Sequence, residues 1–213
     1  MIARRLDKGF YVRNADSRRS WGLGLLLIVA TLGLMFAMGR QGESLDRSDP
    51  RERNRVDRGV RNILDLEFAR TAERTEQIRT VWGDEGMRVA RGNIAIDYFY
   101  LVAYGALLAL AARRAAGWLE VHPSSGIRRL GRLGRFVTLV PIAAAALDAI
   151  ENFAMLRMLA PSFSGETWPS LAARCAGIKF NLVYLTVAWV FVAAALSAPS
   201  TDLRPKTHLS PDL

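Results

Sequence analysis

Cysteine and histidine are scarce in this chain of 213 residues, which holds one cysteine, Cys175, and two histidines, His122 and His208. A single cysteine excludes an intramolecular disulfide and a CxxC redox pair. Two isolated histidines without ligand-spaced neighbours exclude a His/Cys zinc site. No haem or nucleotide-binding motif is found either, so the sequence leaves any cofactor unknown.

Negative charge is also in short supply, with 20 acidic against 29 basic residues and a net charge of +9. The basic excess lies mainly in residues 1–20 and 115–135. No zinc motif, recognition helix or basic stripe interleaved with aromatics accompanies it. The composition therefore argues against a nucleic-acid partner and favours arginines that contact anionic lipid heads.

Long apolar windows are what the sequence has in abundance. Four of them approach the roughly 20 residues that a membrane helix needs, and they cover residues 21–39, 94–114, 136–159 and 174–197. The first window lacks the polar face that a helix of a soluble bundle would show. The sequence predicts an all-α fold: an integral membrane four-helix bundle with an additional extracytoplasmic amphipathic helix.

Charge asymmetry predicts the orientation in the membrane. The basic segments 1–20 and 115–135 are separated by two spans, and the positive-inside rule places both in the cytoplasm. We therefore expect an N-in, C-in protein of the cell's inner (plasma) membrane, with residues 40–93 and 160–173 outside and a disordered cytoplasmic tail at 198–213. Cleavage of the first span as a signal peptide is the alternative, but that span exceeds the usual length of a signal peptide's apolar region.

The outer segment 40–93 contains an apolar periodicity of three and four residues, formed by Leu64, Phe68, Thr71, Thr75, Ile78 and Trp82. This spacing predicts one face of an amphipathic helix that lies at the headgroup level. The alternative is a lid over a site in the outer leaflet. The glycines of "GDEGMRVARG" predict that this helix ends before the second span.

Seven of the polar side chains inside the last three apolar windows form a candidate site: Asp97, Tyr100, Tyr104, Asp148, Glu151, Asn152 and Lys179. Asp148, Glu151 and Asn152 share one helix face, and the spacing of Asp97, Tyr100 and Tyr104 does the same for theirs. A charge at mid-bilayer costs about 2.5–3.5 kcal/mol on insertion scales. These groups should therefore face the bundle interior and one another.

Depth supports a single site. At about 1.5 Å per residue, Glu151 and Asp148 lie roughly 12 and 16 Å below the outer boundary. On the same scale Asp97 lies roughly 5 Å below it and Lys179 roughly 5–9 Å. The sequence predicts that all four meet in the outer half of the membrane.

Three carboxyls and one ammonium leave net negative charge to be neutralised. A proton shared by Asp148 and Glu151 would do so, and so would a divalent cation held by oxygen ligands. The alternative is an ion-pair network that only fixes helix packing. In a catalytic site, Asp148 or Glu151 would act as general base and Lys179 would hold an anionic lipid head, with Asp97, Tyr100, Tyr104 and Asn152 binding the ligand.

Three functions therefore remain open from the sequence. The first is a membrane-embedded binding or catalytic site for a cation or lipid headgroup. The second is a small proton-coupled transporter or channel, acting as an oligomer because four spans enclose little. The third is a structural or assembly subunit. Membrane lipids are the expected partners, and the small residues Ala30, Gly33 and Ala37 on one face of the first span would permit contact with a second copy.

Overall fold

The computed structural model describes residues 3–45, 60 and 62–198, with side chains from residue 21 onward. Within these ranges the chain is helical and contains no strand. The helices are α1 (Ala3–Gly42), α2 (Ile63–Glu67), α3 (Ala72–Glu120), α4 (Ser125–Gly134), α5 (Val140–Met158) and α6 (Thr167–Ser197), and a 3-10 helix over Arg135–Leu139 joins α4 to α5. The predicted tail beyond residue 198 lies outside the described residues.

Four helical stretches are long and apolar enough to cross a membrane. They lie in α1 from Trp21, in α3, in the run Ser125–Met158 that ends with α5, and in α6. The predicted all-α class is therefore confirmed, and the four stretches agree with the four apolar windows in number and order.

Helices α3, α5 and α6 form the centre of the bundle, since each packs along the other two. Helix α1 packs chiefly against α3 and makes little contact with α6. One anchor of α1 is Asn93 on α3, whose Nδ2 donates to the carbonyl of Met38 at 2.9 Å. Large apolar side chains of α1 face outward, and Trp21 and Phe36 are among the most exposed.

Helix α3 is interrupted at one residue, Gly83, whose φ of 58° and ψ of −170° lie outside the helical region. Glycine adopts this conformation without the steric cost that a Cβ would bring. The sequence predicted a longer interruption through "GDEGMRVARG", but Gly86 and Gly92 remain helical. The second apolar element therefore begins well before residue 94, and the connection predicted immediately before it is helix.

The predicted amphipathic helix is not continuous. Helix α2 ends at Glu67, and the chain turns through Arg70, which has a φ of 61°. Helix α3 then begins at Ala72, where Thr71 Oγ1 accepts from the N–H of Arg74 at 3.2 Å. The prediction of one continuous helix face from Leu64 to Trp82 is therefore wrong. Leu64 lies on α2 and Phe68 in the turn after it, whereas Thr75, Ile78 and Trp82 lie on α3 and are buried in the core.

Two arginines fix the start of α3 to the end of α5. Arg79 Nη1 donates to the carbonyls of Met158 and Ala160 at 3.1 and 3.2 Å, and Arg91 donates to the carbonyl of Leu159. The last carbonyls of a helix have no partner within it and carry partial negative charge. These contacts hold the first part of α3 across the end of α5 that lies next to the polar cluster.

At the opposite end of the bundle, α4 packs closely through two glycines. A Cβ at Gly134 would lie 2.0 Å from Cζ2 of Trp189, and one at Gly131 would lie 2.8 Å from the backbone nitrogen of Glu120. Larger residues at these positions would have to displace α4 or Trp189. The outward face of α4 carries Leu133 and several arginines, all exposed.

Candidate functional site

Lys179 on α6 is the centre of a buried cluster of charged groups. Its Nζ lies 2.8 Å from Asp148 Oδ1, 2.9 Å from Glu151 Oε2 and 3.2 Å from Glu67 Oε1. Hydrogen bonds run to Asp148 Oδ1 and Glu151 Oε1, at 2.8 and 3.0 Å. The ammonium of Lys179 therefore forms ion pairs with three carboxylates, one from α2 and two from α5.

The helical spacing in α5 produces this arrangement. Asp148, Glu151 and Asn152 lie on one face of α5, and each is at most 3% exposed. Lys179 reaches them from α6, which packs along α5. The structure thus brings together the acids and the lysine that the sequence placed at similar depth.

Tyr104 on α3 completes the surroundings of Asp148. Its hydroxyl donates to Asp148 Oδ2 at 2.8 Å, so both carboxylate oxygens of Asp148 accept a hydrogen bond. The ring of Tyr100 lies 5.2 Å from that of Tyr104 between centroids. The two tyrosines predicted to share a face of α3 are therefore in contact.

Asp97 lies beside this cluster with a different partner. Asn152 Nδ2 donates to Asp97 Oδ2 at 2.6 Å. Among the described side chains, no basic nitrogen lies within 4.0 Å of the Asp97 carboxylate. The other end of the same amide, Asn152 Oδ1, is buried and accepts no hydrogen bond from the described residues.

Glu67 is a member of the cluster that sequence reasoning missed. It is 4% exposed although it lies in a charged segment. Asn62 is the N-cap of helix α2. Its Oδ1 accepts from Leu64 N, and Asp65 Oδ2 accepts from Asn62 N. An asparagine followed by an acid three residues later is a cap signal that could have located α2. Nothing local indicates that Glu67 points inward.

The cluster carries more acid than base. Glu67, Asp97, Asp148 and Glu151 oppose Lys179, the one basic residue among the residues that line this part of the described structure. Glu67 Oε1 and Glu151 Oε2 lie close to Nζ but make no hydrogen bond within the described structure. Buried carboxylates are costly unless they are paired. A cation or a proton would therefore stabilise this cluster.

A cavity of about 380 Å³ adjoins the cluster. All five charged groups line it, together with apolar side chains from α1, α2, α3, α5 and α6, including Met38, Leu64 and Val183. The lining includes residues of both α1 and α6, two helices that make little direct contact. Its volume falls in the usual range of small-molecule sites, about 300–1,000 Å³.

The described residues contain no group of three or more His, Cys, Asp or Glu side chains arranged to hold a metal ion. The ammonium of Lys179 occupies the place between Asp148 and Glu151 that a metal would take. The divalent cation considered from the sequence therefore has no preformed ligand set in this part of the chain.

Comparisons with known proteins found no matching family model, no matching curated protein and no matching solved structure. The fold and the site define the chain as an all-helical protein with four helices apolar enough for a membrane and a buried acidic cluster around one lysine.

Proposed function

We propose that this chain is a multi-pass membrane protein of the inner (plasma) membrane, with both termini in the cytoplasm, and that its acidic cluster binds a cationic solute in the outer half of the bilayer. The outward apolar surface supports insertion, since Phe36 on α1 and Phe191 on α6 are 66% and 71% exposed. Such side chains are expected to face lipid.

Helix α4 supports the proposed orientation. Arg128, Arg129 and Arg132 are exposed on it, and Leu133 and Phe136 nearby are 65% and 71% exposed. A helix with basic and apolar residues on its outer surface suits a membrane interface with anionic lipids. With α4 on the cytoplasmic side, the acidic cluster lies toward the outer side.

The single observation that carries the proposed function is a ligand-sized cavity lined by four carboxylates and one ammonium. If all are ionised, the lining has a net charge of about −3, and a cation would relieve it. Asp97 is the best-placed receptor because no described basic group pairs with it.

The same geometry argues against an anionic ligand. Lys179 is the cation that a lipid phosphate would need, but three carboxylates already surround it and its side chain is 10% exposed. Asp148 and Glu151 are likewise bound to Lys179, so neither is free to act as a general base. We therefore favour a binding role over the catalytic roles considered for these three residues.

A proton-coupled transporter or channel is the second candidate. Its support is the excess of carboxylates, since a proton taken up in the absence of the cation would keep the buried charge balanced. Release of about one proton for each cation bound would favour this candidate over simple binding. A structural subunit, the third candidate, would show neither binding nor proton release.

Charge-selective thiol modification tests the cation site. Leu64 lines the cavity and is 46% exposed, so Leu64→Cys in a Cys175→Ala background presents one thiol at the cavity. The control is Ser164→Cys, an exposed position in the connection between α5 and α6. The rate with a cationic methanethiosulfonate is divided by the rate with an anionic one at each position, which cancels the intrinsic reactivities.

We expect this ratio to be about tenfold higher at Leu64 than at Ser164, because the excess of carboxylates over Lys179 attracts the cation by roughly 1 kcal/mol or more. Adding Asp97→Asn should reduce the difference. Equal ratios at the two positions would contradict a cation-attracting cavity. They would favour the third candidate, a structural subunit.

A further inference from the structure

We propose that the cation is a primary ammonium attached to an apolar group, and that Asp97 and Asn152 hold the ammonium inside the cavity. This inference rests on the proposed function, since it names the ligand class of the same site. It is carried by the hydrogen-bonding state of Asn152, by the composition of the cavity wall and by the engagement of Lys179.

Asn152 presents an acceptor that nothing in the described structure uses. The residue is 0% exposed, and its Oδ1 has no hydrogen-bond partner among the described residues, whereas its Nδ2 donates to Asp97. Leaving a buried acceptor unsatisfied costs about 1–3 kcal/mol. The amide cannot turn around to relieve this, because its oxygen would then face the Asp97 carboxylate. A donor from a ligand would satisfy Oδ1.

Asp97 supplies the charge next to this acceptor. Its carboxylate lines the cavity and has no described basic partner. A group that carries both positive charge and several N–H donors matches a carboxylate beside an orphan amide oxygen. A primary ammonium has three such donors, whereas a quaternary ammonium has none. The pair Asp97–Asn152 therefore favours a primary amine.

Two tyrosines add a second source of attraction for a cation. Tyr100 and Tyr104 both line the cavity, and Tyr104 is fixed by its hydrogen bond to Asp148. An aromatic ring attracts a nearby cation by about 0.5–2 kcal/mol, more when water is excluded. Their position one and two turns from Asp97 along α3 places aromatic carbon beside the carboxylate.

The rest of the wall is apolar and specifies the body of the ligand. The apolar side chains that line the cavity include Met38 of α1, Ile94, Leu107 and Leu108 of α3, and Phe180 and Val183 of α6. Inorganic cations would leave this surface unused. An aliphatic or aromatic group attached to the amine would bury it, and each buried CH₂ contributes about 0.8 kcal/mol.

Two sources share this chemistry: a free lipophilic amine and the ethanolamine headgroup of a lipid. The lipid also carries a phosphate, for which the cavity wall offers Lys179, a residue already surrounded by carboxylates. The free amine therefore fits better, and the bilayer composition can separate the two.

Calorimetric titration of the purified full chain in phosphatidylcholine nanodiscs tests the ligand class, with empty discs subtracted. The probe is 4-phenylbutylamine, which is protonated at pH 7.4, as alkyl amines have a pKa of about 10. Its comparators are 4-phenylbutanol, 4-phenylbutanoate and the trimethylammonium analogue. We expect saturable binding of the amine, at least tenfold weaker binding of the quaternary analogue, and none of the alcohol or the acid.

Substitutions at Asp97 and Asn152 test whether these two residues form the amine site. Asp97→Asn should weaken amine binding at least tenfold, and Asn152→Leu should reduce the preference for the primary over the quaternary amine. The matched control is Asp84→Asn, which removes an exposed carboxylate on the same helix and should leave binding unchanged. Each variant is compared only if it elutes as a single species, and the wild-type ligand series tests the proposal without any variant.

The outcomes distinguish failure of the primary-amine proposal from failure of the proposed cation binding. Equal binding of the primary and quaternary amines would overturn the role of Asn152 Oδ1, while a charge-selective rate at Leu64 would keep the cation site. No amine binding together with no rate preference would overturn both. If ethanolamine lipid in the discs competes with the probe, the primary ammonium is supported and the lipid is its source.

Discussion

Lys179 on α6 donates a hydrogen bond of 2.8 Å to Oδ1 of Asp148 on α5. The other oxygen of Asp148 accepts from Tyr104 on α3, also at 2.8 Å. One carboxylate thus joins the three central helices, and the charge of Lys179 is the group that makes its burial tolerable. Changes to Lys179 and to its acids should therefore be strongly non-additive.

The first prediction concerns the coupling of Lys179 to Glu151. Lys179→Met leaves three buried carboxylates without their cation and should lower the free energy of unfolding by about 3–5 kcal/mol. Adding Glu151→Gln should restore part of that loss, giving a coupling energy of about 0.5–3 kcal/mol. Thermal and denaturant unfolding in detergent of the two single variants and the double variant measures it.

The matched control for this cycle is the exposed pair Arg88–Glu85 on α3, whose side chains are more than 70% exposed. Its cycle should give about 0.2–1 kcal/mol, since water screens exposed ion pairs. Additive effects at Lys179 and Glu151 would show that the two groups do not interact in the folded protein.

The second prediction concerns Tyr104. Tyr104→Phe removes the donor to Asp148 Oδ2 without changing the ring, so the loss should be about 1–3 kcal/mol, the cost of an unsatisfied buried acceptor. Tyr100→Phe is the control, because no hydrogen bond joins its hydroxyl to Asp148 in the described structure. It should cost clearly less. An equal loss in the two variants would place the effect in the rings instead of the hydrogen bond.

The polar members of the central helices could be predicted from the sequence because two simple constraints act on them. Helical spacing places Asp148 and Glu151 on one face, and the cost of charge in lipid turns that face inward. Lys179, inside the fourth apolar window, then follows as a candidate basic partner. The structure places these three side chains in direct contact.

Glu67 and the course of the chain around it could not be predicted in the same way. In a charged segment, the sequence does not distinguish a buried acid such as Glu67 from its exposed neighbours. The break between α2 and α3 depends on Arg70 at positive φ, a conformation that is uncommon for residues other than glycine. No local sequence pattern predicts it. The helical course of Gly86 and Gly92 also depends on packing, because glycine permits helix and turn alike.

The third prediction concerns orientation in the membrane. Ser44 lies just beyond α1 and Ser124 just before α4, and both are exposed. In a Cys175→Ala background, an impermeant thiol reagent applied to intact cells should label Ser44→Cys and spare Ser124→Cys until the membrane is opened. The reason is the basic charge of residues 1–20 and of α4, which favours the cytoplasm. The reverse labelling would invert the orientation and move the acidic cluster to the inner half.

An N-terminal tag on the same variants also tests retention of the first span, since signal-peptide cleavage would separate the tag from the labelled cysteine.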